Sequence, residues 1–220
     1  MLPLMKQFTA VIFDMDGVIV DSEPSHEQAF LEVVRELGYG ETHGVRFSNY
    51  IGRPDEDPWR EFIDRHNPPH SLQELLSLKG KRTVEIITRE QRIFKGLPEL
   101  VANLATRYAL ALASGSERPV VEAVLNMNNL RRFFSVTVSG SDVKRGKPAP
   151  DVFLRAAELL AAAPRDCWVI EDSKPGIAAG LAAGMRVIAI TNTHPAPELA
   201  YATKVVSTYE EIDRLLLDRS

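Results

Sequence analysis

The sequence has a single cysteine, Cys167, among 220 residues. No disulfide can form within the chain, and this thiol, set in an apolar run, reads as a small buried hydrophobe. Long apolar runs are missing too: none approaches the ~20 residues of a membrane span, and the first residues carry no signal-peptide pattern. Nor is there an excess of charge. With 26 Lys and Arg against 30 Asp and Glu the net charge is −4, in no long block of either sign, which does not suggest a nucleic-acid surface. There is no internal repeat, no low-complexity tract and no long coiled-coil seam. The expectation from these absences is a soluble, cytoplasmic monomer with neither nucleic acid nor membrane as a partner. What is present is ordinary globular composition, 45% hydrophobic and 25% charged, enough for one large domain or a core domain with a smaller insertion.

The chain is organised around Thr9 to Ser22, TAVIFDMDGVIVDS. Ala10, Val11, Ile12 and Phe13 are apolar without alternation, as in a parallel strand buried on both faces. The run stops at Asp14-Met15-Asp16-Gly17. Ligands of open α/β sheets bind beyond the carboxyl ends of strands, and two carboxylates two residues apart there can address one reaction centre. Gly17 then lets the chain turn away.

From Pro24 to Arg92 no strand is evident. Ser22 is read as the N-cap of a first helix that carries Ala29, Phe30, Val33, Val34 and Leu37. Trp59, Phe62 and Ile63 mark a short helix, and Leu72 through Ile87 a longer or broken one. This stretch, 23–92, is taken as a helical insertion, with 1–22 and 93–220 forming the core. Beyond Leu97 strands and helices alternate. Strands are expected over Tyr108 to Ala113, Phe134 to Val138, Cys167 to Ile170 and Met185 to Ile190, with an edge strand over Lys204 to Val206. Ser116 is read as a helix cap, and Ile177 and Leu181 as the inward face of a small-residue helix. The fold class is α/β: a doubly wound parallel core sheet with an inserted helical domain.

A parallel sheet brings its strand ends to one edge. Asp14 and Asp16 follow the first strand, Ser114 and Gly115 the second, and Glu171 and Asp172 the fourth, with Lys147 in the loop beyond the third. Four carboxylates in one place require a cation or a proton. An oxygen-only set suits Mg²⁺, which keeps waters and shares phosphates. Lys147, the Ser114 hydroxyl and a glycine-borne N–H add an oxyanion site. Phosphoryl transfer fits this inventory.

These motifs resemble those of the haloacid dehalogenase (HAD) superfamily of phosphatases. The likeness rests on Asp14-x-Asp16-Gly17, on Ser114, on Lys147 within Gly146 to Asp151, and on Glu171-Asp172-Ser173, in that order along the chain. It implies that the insertion is a helical cap. Asp14 would be the nucleophile, Asp16 the acid and base, and Ser114 and Lys147 the phosphoryl ligands. Mg²⁺ would be held by Asp14, the Asp16 carbonyl and Asp172, with Glu171 bound either directly or through water. Gly115 and the cap residue His26 complete the implied substrate-binding set.

Taken alone, each motif has a plainer use. Asp-x-Asp-Gly makes turns, Ser-Gly-Ser makes turns and caps, and an acidic pair favours a helix start. Their joint occurrence at successive strand ends outweighs these. Asp21 and Asp151 are read as structural; Arg53, Trp59, Lys81 and Arg82 are read as packing or solvated. Asp16 argues against a dehalogenase, which lacks an acid there, and Lys79 and Lys81 are by location alone candidates for the lysine of phosphonate hydrolysis. β-Phosphoglucomutase is the resembling alternative, but its cap arginine follows a Gly-x-Ser triplet. Here Gly52-Arg53-Pro54 is followed by Asp55, which favours hydrolysis of a small phosphomonoester such as a sugar phosphate or phosphoglycolate. A non-catalytic phosphate-binding module is the reading from another class.

Overall fold

The computed structural model describes residues 8–50 and 55–217. The described chain separates into two compact units, one formed by the chain up to Asp21 and from Ile93 onward, the other by Ser22–Arg92. No described helix is long and apolar enough to cross a membrane.

The elements run β1 (Ala10–Phe13), α1 (Glu23–Glu36), α2 (Glu56–His66), α3 (Leu72–Glu90), α4 (Leu97–Leu104), β2 (Ala109–Ala113), α5 (Arg118–Asn126), β3 (Val136–Val138), α6 (Asp151–Leu159), β4 (Cys167–Glu171), α7 (Lys174–Ala182), β5 (Arg186–Ile190), β6 (Lys204–Val206) and α8 (Tyr209–Leu217). Six described strands form one parallel sheet in the order β3-β2-β1-β4-β5-β6. The order reverses at β1, so the ends of β1, β2 and β4 lie side by side.

Pairing in register explains the apolar runs. Ile12 lies between Ala111 and Val169, and Phe13 between Leu112 and Ile170. Ala10, Ile12, Ala111, Ala113, Val169, Val187 and Ala189 pack with Phe153, Ala156 and Ile177 in one core. The alternate residues Val11, Phe13, Leu110, Leu112, Ile170 and Ile188 face the other side of the sheet and are also buried. With both faces covered, no polar alternation survives in the strands. Cys167 is buried, and burial pushes its thiol up to about 11. This is the small-hydrophobe role expected of it.

After β1 the chain turns tightly: the N–H groups of Val18, Ile19 and Val20 all donate to the Met15 carbonyl. Gly17 takes a φ of +75° in this turn. Val20 then pairs with Ile93, where the chain re-enters the unit.

The second unit has its own core, built from Phe30, Val33, Val34, Val45, Phe47, Trp59, Phe62 and Leu75. Trp59 is fully buried there, with its ring 4.5 Å from that of Phe30. Lys81 is exposed, and Arg82 is paired with Glu32, Glu36 and Glu85. Gly52, Arg53 and Pro54 lie outside the described residues.

Three local expectations are corrected and one open alternative is decided. Ser22 stands at the start of α1 but makes no side-chain cap hydrogen bond, because its backbone is already helical. The Ser116 hydroxyl is turned to Asp16, and the N-cap position of α5 is Glu117. Of the two readings left open from Leu72 onward, the longer helix holds: Leu72–Glu90 is unbroken. Leu181 faces outward: α7 approaches the sheet through Gly176, Ile177, Ala179 and Gly180, and Gly180 sits so close to Val187 that the larger residue is turned away.

Candidate active site

Asp14 continues directly from β1, its N–H donating to the Ile170 carbonyl at 2.9 Å, and its side chain is buried. Lys147 reaches it from the loop before α6. Its Nζ lies 2.6 Å from Asp14 Oδ1 and 2.6 Å from Glu171 Oε1, and 5.1 Å from the centroid of the Phe153 ring, which shields the stem. One ammonium thus bridges two carboxylates from neighbouring strands.

Glu171 is fully buried and both its oxygens are engaged. Oε1 receives Lys147, while Oε2 accepts from the Asp172 N–H at 2.7 Å, the Ser173 N–H at 2.8 Å and the Ser173 hydroxyl at 2.9 Å. The same Ser173 hydroxyl accepts from Gly176 N–H and caps α7. Asp172 follows, nearly buried, with Oδ2 held by the Thr193 hydroxyl. Asp172 also lies so close to Gly17 that any side chain at position 17 would collide with its carboxylate. The positive φ and this contact both require glycine.

Asp16 projects toward the end of β2. Its Oδ2 accepts from the Ser116 hydroxyl at 2.7 Å and lies 3.2 Å from the Ser114 hydroxyl. Ser114 is fully buried and its Oγ accepts the Ser116 N–H at 2.9 Å. Gly115 is exposed between them. Its carbonyl lies against Gly140 so closely that a Cβ on Gly140 would collide with it.

Electrostatics follow from this crowding. Burial raises the Asp14 carboxyl from 3.8 to about 8; Glu171 and Asp16 push the same way, and Lys147 only partly opposes them. Burial likewise holds Asp172 well above the carboxylate range, with repulsion from Glu171 and Asp14 added. Burial alone would lower the Lys147 ammonium, but Asp14 and Glu171 outweigh it and hold it fully protonated. Three buried carboxylates share one cation, which leaves negative charge to be balanced.

That imbalance tests the fit of a metal ion. Among the described residues Asp14, Glu171 and Asp172 each offer a carboxylate oxygen within 4.8 Å of the others. The donors are all oxygens, the set a hard divalent cation takes. The sequence-predicted residues Asp14, Asp16, Ser114, Gly115, Lys147, Glu171 and Asp172 therefore meet at one sheet edge. His26 lies in α1 of the other unit, with Nδ1 2.7 Å from the buried Lys79 Nζ, which also pairs with Asp55. Asp151, read as structural, is held by Arg145 at the start of α6.

Four supporting roles escaped the sequence reading: those of Ser116, read there as a helix cap, of Ser173, named there only within its motif, and of Asn192 and Thr193. Asn192 Nδ2 donates to the Gly17 carbonyl at 2.7 Å and to the Tyr209 hydroxyl at 2.9 Å, and that hydroxyl donates to the Val18 carbonyl at 2.6 Å. Asn192 and Thr193 follow β5, so the strand-end rule that located the other residues also covers them.

The haloacid dehalogenase-like hydrolase family model matches residues 11–190. A fructose-1-phosphate phosphatase of Escherichia coli strain K12 is 32% identical over 193 residues, spanning 84% of this chain and 97% of that protein. Hexitol phosphatase B of the same strain is 33% identical, over 88% of this chain and 86% of that one. Among solved structures, a Thermotoga maritima protein described as a β-phosphoglucomutase superposes with a TM-score of 0.75 at 28% identity, covering 96% of this chain and 100% of that one. With four motif-bearing strand ends on one sheet edge and a family match across most of its length, the chain belongs to the haloacid dehalogenase-like hydrolase family.

Proposed function

We propose that this hydrolase is a Mg²⁺-dependent phosphatase that cleaves a small sugar-phosphate monoester through an aspartyl-phosphate on Asp14. The chain is a phosphoric monoester hydrolase by class. The substrate class follows the named relatives, which act on fructose 1-phosphate and hexitol phosphates by name. The observation that carries the mechanism is the Asp14 carboxylate at a strand end, 2.6 Å from a buried lysine, with a second aspartate two residues on.

Asp14 attacks phosphorus, the bond from phosphorus to the leaving oxygen breaks, and Asp16 gives its proton to that oxygen. Water then attacks phosphorus, the Asp14–phosphorus bond breaks, and Asp16 takes the water's proton. Lys147 and the Ser114 hydroxyl hold phosphoryl oxygens, and Lys147 also keeps Asp14 oriented. Asp14, the Asp16 carbonyl and Asp172 would hold Mg²⁺, which supplies charge neutralisation for the transferring group. Glu171, both of whose oxygens are engaged by protein donors, anchors Lys147 and the loop after β4. The unit Ser22–Arg92 is assigned the role of a cap, with His26 in its substrate-binding set, which excludes water during transfer.

A mutase reading has support in the Thermotoga maritima neighbour. Asp55 speaks for hydrolysis, because a carboxylate engaged by Lys79 cannot supply the positive charge that a second phosphate needs. A panel of sugar phosphates with Mg²⁺, followed for both phosphate release and isomer formation, decides between them. Phosphate release is expected. Asp14→Asn should remove at least a thousandfold of it while keeping the fold, and chelation should silence the native enzyme. Isomer formation without phosphate release would overturn the hydrolase assignment, and an active Asp14→Asn variant would overturn the nucleophile.

A further inference from the structure

Ser116 lies at the entrance to α5 and does not cap it. Its hydroxyl is the nearer of two on Asp16 Oδ2, at 2.7 Å against 3.2 Å for Ser114. Its backbone is pinned from both sides. The N–H donates to Ser114 Oγ at 2.9 Å, and the carbonyl accepts from Gly140 N–H at 2.9 Å. Gly140 in turn has no room for a side chain, because the Gly115 carbonyl fills that space. The Ser116 hydroxyl is thus delivered to Asp16 by a segment clamped between the ends of β2 and β3.

Under the phosphatase reading, on which this inference rests, the Ser114 hydroxyl must turn to a phosphoryl oxygen when substrate binds. It cannot hold Asp16 at the same time with its single proton. Ser116 is not among the residues assigned to the phosphoryl group, and its hydroxyl is the nearer one to Asp16. We propose that Ser116 is a positioning residue for Asp16. Its hydroxyl proton stays on Oδ2 and fixes the plane of the carboxyl group. With Oδ2 occupied as an acceptor, the proton that Asp16 transfers is carried on Oδ1, and Ser116 decides which way that oxygen faces. No bond to Ser116 is made or broken in the reaction.

The role predicts a dependence on the leaving group. A sugar alkoxide needs the Asp16 proton, whereas p-nitrophenolate departs as a stable anion and does not. Wild type, Asp16→Asn, Ser116→Ala, Ser116→Cys and Ser116→Thr are compared on a sugar phosphate and on p-nitrophenyl phosphate by kcat/KM, which ends at departure of the leaving group and so leaves out the later attack of water, where Asp16 is the base for both substrates. Asp16→Asn should lose about a hundredfold more kcat/KM on the sugar phosphate than on the aryl phosphate. Ser116→Ala should lose about tenfold in kcat/KM on the sugar phosphate, as expected for one hydrogen bond, and less than twofold on the aryl phosphate. Ser116→Thr, which keeps a hydroxyl, should return to within threefold of wild type. Should Ser116→Ala fail to fold, Ser116→Cys, with its weak donor, must show the same split.

Equal losses on both substrates, an unchanged or faster sugar-phosphate rate in Ser116→Ala, or no rescue by threonine would each overturn the positioning role. If Asp16→Asn itself shows no split between substrates, the failure lies instead with Asp16 as the acid. The two failures are therefore distinguishable.

Discussion

A methyl group added at Gly176 would fall inside the Glu171 carboxylate. That carboxylate cannot retreat: it is fully buried, Oε1 is tied to Lys147 and Oε2 accepts three donors. Gly176→Ala is therefore expected to cost about 3 kcal/mol through overpacking, a drop of roughly 6–12 °C in Tm for a chain of this size. It should also displace Lys147. A Tm within 2 °C of wild type in a thermal melt would show that the carboxylate is not fixed as described. At this scale the sequence disclosed the charged residues best. Asp14, Lys147, Glu171 and Asp172 belong at strand ends, where charge needs a stated reason. The roles of Ser116, Ser173, Asn192 and Thr193 were hidden for the opposite reason. Small hydroxyls and amides cap helices and make turns all over a protein, and only coordinates show that Ser116 serves a carboxylate.

The helix α3 shows what periodicity conveys and where it misleads. Its buried residues Leu75, Lys79, Thr83, Ile86 and Ile87 follow helical spacing, but a lysine and a threonine in that stripe make the apolar pattern look interrupted. Gly80 reinforces the impression of a break. In fact Gly80 adopts ordinary helical backbone and has nothing within 4 Å of where a Cβ would sit. The helix starts firmly, from a capping box between Ser71 and Glu74, and so runs through. Gly80→Ala should stabilise the protein by about 1 kcal/mol, the helix-propensity difference at an uncrowded site. Urea titration checks this, through a higher midpoint at unchanged slope. A lowered midpoint would mean that the backbone at Gly80 needs its freedom. In α7 the spacing misled: Leu181 looked inward, yet glycine and alanine form the contact face because the helix lies so close to β5. Strands were easier, since two-sided burial leaves an unbroken apolar run that sequence displays directly.

Sheet order and charge together give the whole molecule a pH dependence, which the proposed Mg²⁺ site would link to metal binding. Asp14 rises from 3.8 to about 8 through burial first and then repulsion from Glu171 and Asp16, against the pull of Lys147. Asp172 is displaced upward as well, for the same reasons. Between pH 4 and 8 the folded, metal-free protein therefore keeps protons that the unfolded chain has already released. The native state binds more protons in that window, so stability falls as pH rises through it. Magnesium takes carboxylates only in their charged form, which sets metal and protons in competition at these sites. Binding at pH 7 should expel protons, and binding above pH 8, where Asp14 has ionised, fewer, with apparent affinity rising between. The metal should also raise Tm by mass action, by about 2.7 kcal/mol of stability at a hundredfold excess over Kd, and Asp172→Asn should lose most of that gain. Titration calorimetry in two buffers of different ionisation enthalpy reads the proton count directly. Heats that agree between the buffers at pH 7 would mean that Asp14 and Asp172 are already ionised in the metal-free fold. In that case the crowding of carboxylates around Lys147 would be relieved by some group other than a proton.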